Sequence, residues 1–192
     1  MKLKLFFTTL CMLVLTACKS QNTPDLAYYQ LKGAVKTLVQ GNDTIQFDTN
    51  GTITSVNGKD LFALENPYRE MNEEEGSFID IAKWTRNEQG QLAKIALLES
   101  EDEITWENGK VAYVTGEGEG MNYKISYTYD EEGNLIELTE AFWGYYDGAA
   151  DEAEVYKTTF RILEKDASGN WIKRERTSND YTSEETRTII YY

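Results

Sequence analysis

From Tyr28 to Tyr192 apolar and polar side chains alternate in short runs, and the helical spacing of three and four residues hardly recurs. Ile125, Tyr127 and Tyr129 fall on one side of an extended chain, with Ser126 and Thr128 on the other. Ile136, Leu138 and Phe142 repeat at even spacing, broken by Glu140. This pattern predicts antiparallel strands with one face packed and one face wet. The runs are separated by a recurring turn of the form Asp/Asn-x-x-Gly-x-apolar: Asp48 to Gly51, Asn87 to Gly90, Asp130 to Gly133 and Asp166 to Gly169. The first side chain of such a turn bonds the backbone two residues on, and the glycine takes the left-handed conformation that closes a hairpin. Asn108-Gly109 is a tighter hairpin signal, and Gly41-Asn42-Asp43 a weaker one. The expected fold is all-β, an antiparallel meander of hairpins forming a large twisted or curled sheet of about 10–12 strands. Helix signals are poor, and Asp60–Leu64 reads as a turn. Two stretches break the rhythm: residues 64–77 read as a long acidic loop, and residues 142–153 as a loop first aromatic and then acidic.

The first 17 residues follow another pattern. Lys2 and Lys4 precede an uncharged run from Leu5 to Ala17, shorter than the roughly 20 residues a spanning helix needs. It fits the apolar region of a signal peptide. Leu15-Thr16-Ala17-Cys18 resembles the lipobox of bacterial lipoproteins. The resemblance implies cleavage before Cys18 and diacylation at its thiol, and two or more acyl chains anchor a protein stably. The expected organisation is a cleaved signal peptide over residues 1–17, lipidated Cys18 with a polar tether over residues 18–27, and a single β domain over residues 28–192. Lys19 at the tether's start looks unlike an inner-membrane retention signal, which places the protein at the outer membrane, facing the periplasm or the cell surface.

Tyr127-Thr-Tyr-Asp-Glu-Glu-Gly-Asn-Leu135 resembles the YD-repeat (RHS-like) hairpin, an aromatic strand followed by Asp-x-x-Gly and apolar residues. Asp166 to Arg174, the terminal Arg187 to Tyr192 and the opening Leu31 to Thr37 look like segments of small Bacteroidota RHS-like lipoproteins, a family without an assigned function. The resemblance implies an exported hairpin array. The toxin-enclosing role of large RHS shells does not carry over to a chain of 192 residues.

Composition narrows the chemistry. The chain has no histidine, and its two cysteines are Cys11, inside the apolar run, and Cys18. His-based catalytic triads and His or thiolate zinc sites are therefore excluded. The formal charge of −14 would become about −16 on loss of Lys2 and Lys4, which disfavours nucleic acid. No motif calls for a metal or an organic cofactor. Asp147, Asp151, Glu152 and Glu154 could gather around calcium but lack an ordered ligand spacing. Glu137 and Glu140 are candidates for a glycosidase-type carboxylate pair, without a motif that selects them. Trp143, Tyr145 and Tyr146, grouped around Gly144, are the candidate ligand-binding residues. Flat aromatic faces beside acids suit sugar stacking, whereas large aromatics are usually buried, which favours Trp143 plugging the open side of the sheet, as Trp84, Trp106 and Trp171 would.

The sequence thus points to a membrane-anchored exported lipoprotein acting as a non-enzymatic binding or structural module of the cell envelope. Its partners would be the membrane, through the anchor, and a glycan or protein. The alternative is a carboxylate-based glycan-active enzyme or glycan-binding accessory protein.

Overall fold

The computed structural model describes residues 23–72, 77–118, 120–146, 149–150, 152–179 and 181–192. One short helix, α1 (Pro24–Tyr28), precedes β1 (Val35–Gln40), β2 (Asp43–Phe47) and β3 (Ile53–Val56). A separate two-stranded hairpin follows, β4 (Tyr68–Asn72) with β5 (Ser77–Ile81). The chain then runs through β6 (Lys83–Arg86), β7 (Leu92–Ala96), β8 (Ser100–Glu107), β9 (Lys110–Gly118) and β10 (Met121–Tyr129). It continues with β11 (Leu135–Tyr146), β12 (Ala149–Ala150), β13 (Glu154–Lys165), β14 (Trp171–Ser178) and β15 (Tyr181–Tyr191). The main sheet is antiparallel, in the order β3-β2-β1-β15-β14-β13-β11-β10-β9-β8-β7-β6, with β12 paired to β11. The expected all-β meander is the one observed. Chain order and spatial order part once, where β15 lies between β14 and β1. The outermost strands, β3 and β6, do not pair with each other, so the sheet is not closed into a barrel.

Each Asp/Asn-x-x-Gly turn forms as its chemistry requires. Asp48 Oδ1 accepts from the N–H groups of Asn50 and Thr52 at 2.8 and 2.9 Å, and the Gly51 N–H donates to the Asp48 carbonyl. The arrangement recurs at Asn87, Asp130 and Asp166. The ladder shifts register beside each turn, a β-bulge that directs the apolar residue after the glycine inward. Ile53, Leu92, Leu135 and Trp171 are accordingly all buried. One expectation changes for the same reason: Ile136, read as a packed-face residue with Leu138, is 38% exposed because the bulge gives the inward position to Leu135. Asn57-Gly58, at φ of 51° and 77°, forms a further tight turn that the sequence reading passed over.

Strands that alternate in direction send alternate turns to opposite ends. The turns at 48–51, 87–90, 108–109, 130–133 and 166–169 therefore share one end, the turn end. The connections at 41–42, 97–99 and between β9 and β10 lie at the far end.

The core gathers Leu38, Ile45 and Phe47 from the first strands with Trp84, Leu92, Ile104, Val111 and Val114 from the other side of the sheet. Helix α1 supplies what lies between them. Residues 23–27, expected as the end of a polar tether, are a correction: Leu26 is fully buried, and these residues pack as part of the domain. Thr23 caps the helix, accepting from the Leu26 N–H and donating to the Gly51 carbonyl at 2.6 Å. Leu26 packs so close over the turn that a Cβ on Gly51 would lie 2.7 Å from its Cδ1. Asp25, 2% exposed, accepts from the Ile53 N–H of β3 at 2.7 Å and from the Arg86 guanidinium of β6 at 2.5 and 2.7 Å. One carboxylate thus bridges the two outermost strands. The β6 side is further covered by Leu61, whose carbonyl accepts from the Trp84 N–H at 3.0 Å.

Both expected loops are also corrected. Residues 68–72 of the acidic stretch form β4, because Tyr68 and Met71 can pair with Ile81 and Phe78 of β5. Of the 142–153 stretch, residues through Tyr146 extend β11 and residues 149–150 form β12. Asp60–Leu64 does form a turn, with Asp60 Oδ1 accepting from the N–H groups of Phe62 and Ala63.

Candidate functional site

Register fixes what surrounds Trp143. Trp143 of β11 faces Asn122 of β10, Asn122 faces Glu117 of β9, and Glu117 faces Glu101 of β8. These four residues form a row across the far end of the sheet, with Glu103 and Thr115 in the next row. On the opposite face, one residue along, lie Tyr123 and Phe142, which pack toward the core. Trp143 therefore stands on the outer face and plugs nothing. It is half-buried, whereas Trp84 and Trp171 are buried and Trp106 packs against the core as expected. The other three tryptophans have ring or cation partners, in Phe62, Tyr28 and the Arg174 and Arg187 guanidinium groups; among the described residues Trp143 has none.

Trp143, Asn122, Glu117, Glu103 and Glu101 line a depression of about 240 Å³. It adjoins a cleft of about 610 Å³ that shares Asn122, Glu117 and Glu101 and ends at Leu98 and Met121. Leu98 and Met121 are 45% and 51% exposed. The two depressions thus cross four strands, with hydrogen-bonding groups along the row, Trp143 on β11, and Met121 beside it on β10 opposite Gly144. Lys94 forms an ion pair with Glu101. Like charges directly opposite one another, as at Glu101 and Glu117, disfavour the sheet, and Lys94 offsets part of that.

Of the remaining sequence candidates, some lie outside the described residues and Glu137 and Glu140 lie apart. The backbones of Tyr145 and Tyr146 continue β11 and pair with Ala150 and Ala149; their side chains lie outside the described residues, as do Asp147 and Asp151. Glu154 accepts from the Tyr156 hydroxyl at 2.7 Å. Among the described residues no group of three or more acidic or cysteine side chains could hold a metal ion. Glu137 and Glu140 are three apart on one strand and so point to opposite faces. Glu137 pairs with Lys157 at 3.1 Å on the outside, and Glu140 sits opposite Ile125 on the inside. They cannot act on one bond.

A row of rings on the inner face escaped the sequence reading. Tyr123, Phe142 and Tyr156 follow one another across β10, β11 and β13 at 6.0 Å centroid spacing. The Tyr123 hydroxyl donates to Asp102 two strands away, across Gly116. A Cβ on Gly116 would fall 2.2 Å from the Tyr123 ring, so only glycine lets the ring cross β9. The odd-numbered aromatic alternation from Tyr123 to Tyr129 was the available signal.

Burial raises the phenol pKa of Tyr28, Tyr29, Tyr123 and Tyr129 well above the ordinary value, since the phenolate would lose its solvation. The folded pKa lies above the unfolded one, so this contribution is complete below about pH 10 and is lost as pH rises further. The expected alkaline behaviour is cooperative unfolding above about pH 10, with these phenols ionising in the same transition. Absorbance of phenolate and tryptophan fluorescence, followed together, check it; phenols ionising one by one while fluorescence stays native would contradict the burial.

No protein-family model matches this chain, and no curated protein matches it significantly in sequence. No described helix is long and apolar enough to cross a membrane.

Proposed function

We propose that the chain is a lipid-anchored, non-enzymatic binding module of the cell envelope, held by diacylated Cys18 and contacting its ligand through the groove at Trp143. The observation that carries this is the Trp143 indole on the outer face, beside Asn122 and Glu117 and without a ring or cation partner among the described residues. An indole face stacks on a sugar ring, and amide and carboxylate groups beside it accept or exchange hydrogen bonds with hydroxyls. A glycan is thus the ligand class the groove suits best. Hydrolysis is less well supported, because Glu101, the carboxylate facing Glu117, is already engaged by Lys94. Strand addition to the main sheet is also less well supported, since Asp25 and Leu61 occupy backbone N–H groups of β3 and β6.

The test is a thermal-shift series on the mature chain carrying Cys18→Ser, with soluble cell-wall and capsular glycans as probes. A ligand at about 100 times its Kd adds about 2.7 kcal/mol to stability, which raises Tm by several degrees. Trp143→Ala is expected to leave the free protein's Tm nearly unchanged and to abolish the glycan shift. A shift that survives Trp143→Ala would move the site elsewhere. Glycan cleavage lost in Glu117→Gln would replace binding by catalysis.

A further inference from the structure

The position of Thr23 at one end of the sheet bears on how the domain would stand on its anchor. Thr23 donates to the Gly51 carbonyl in the 48–51 turn. Two residues on, Asp25 holds Arg86, whose guanidinium also donates to the Gly90 carbonyl at 2.8 Å. Ala27 lines one cleft with Gly109, Gly133 and Gly169. The start of the domain therefore lies at the turn end, touching the 48–51 turn directly, the 87–90 turn through Arg86, and sharing a cleft with the other three. Only residues 19–22 separate Cys18 from Thr23, and the five residue steps between them span at most about 18 Å.

We infer that the turn end is the membrane-facing end, and that the far end, with the Trp143 groove, is the surface presented outward. This rests on the reading of Cys18 as the lipid anchor. Strand β11 runs from Leu135 at the turn end to Trp143, eight residues later. At about 3.3 Å per residue the groove stands about 26 Å beyond the turns. Helix α1 cannot swing out to reverse this geometry without unburying Leu26 and Asp25. The exposed side chains at this end include Glu88, Glu107, Glu131 and Lys32, and Glu132 is paired with Lys165. A partner of the groove must then come from the aqueous side, on another molecule or surface, and not from the lipid of the same leaflet.

The experiment uses the acylated protein in phosphatidylcholine vesicles carrying an energy-transfer acceptor on a fraction of headgroups. Cys18 is the only cysteine left after cleavage, so a single introduced thiol takes the donor dye. Glu88→Cys and Glu131→Cys report the turn end, Asn42→Cys and Leu98→Cys the far end; all four positions are exposed. Transfer is expected to fall by about half or more from 88 and 131 to 42 and 98, given the strand length between them. Equal transfer from the two ends, or the reverse order, in a chain shown by intact mass to carry its acyl groups, overturns the orientation alone. A chain that intact mass shows to be unacylated at Cys18 overturns the anchor, and the orientation with it.

Discussion

Asp25→Ala is expected to lower stability by about 3 kcal/mol, because it leaves a buried N–H and a guanidinium without their acceptor. The carboxylate is 2% exposed and serves both outermost strands of the sheet, through the Ile53 N–H and through Arg86. Arg86 retains some access to water, and its Phe62 contact at 3.9 Å survives, so the loss stays below that of a fully buried pair. At this chain length about 1 kcal/mol moves Tm by about 2–4 °C, giving an expected fall of about 6–12 °C. Asp25→Asn keeps an acceptor for the Ile53 N–H and should fall in between. Calorimetry on Asp25→Ala, Arg86→Ala and the double variant measures the coupling. Additive losses would show that the bridge does not couple the two outermost strands.

Arg187→Leu is the second large effect, expected at about 3 kcal/mol or more. The Arg187 guanidinium is buried and donates to the carbonyls of Trp171, Tyr29 and Gln30 at 2.6, 2.8 and 3.2 Å. It also stacks on Trp171 at 3.9 Å. Burial, with Arg174 nearby, pulls its pKa down to about 9, which still leaves it charged at neutral pH. Leucine keeps apolar volume and abandons three acceptors, each costing about 1–3 kcal/mol when left unpaired away from water. Tyr29 and Gln30 leave α1, and Gln30 holds a left-handed φ of 53°. Their release should therefore loosen the N-terminal segment first. Hydrogen exchange is expected to rise across residues 26–35 before the β8–β11 hairpins. Uniform exchange, or a Tm within about 2 °C of the parent, would remove Arg187 from this role.

The likeness to YD-repeat lipoproteins rests on the same turns that build the sheet, and no match to a known family adds to it. Hairpin chemistry is local, so unrelated chains can share it. That is why the turns predict the fold without identifying the ligand.

Much was legible in the chain because it depends on neighbours in sequence. Four Asp/Asn-x-x-Gly turns and Asn108-Gly109 dictate their hairpins. Lack of histidine excludes whole classes of chemistry from composition alone. Tertiary structure decided the rest. Insertion of β15 between β14 and β1 pairs residues about 150 apart, which no local pattern encodes. Asp25 looked like tether because its partners, Ile53 and Arg86, lie 28 and 61 residues away. Trp143 looked like part of a loop, and whether its ring faced core or solvent depended on register with Asn122, since a one-residue slip exchanges the two faces of a strand.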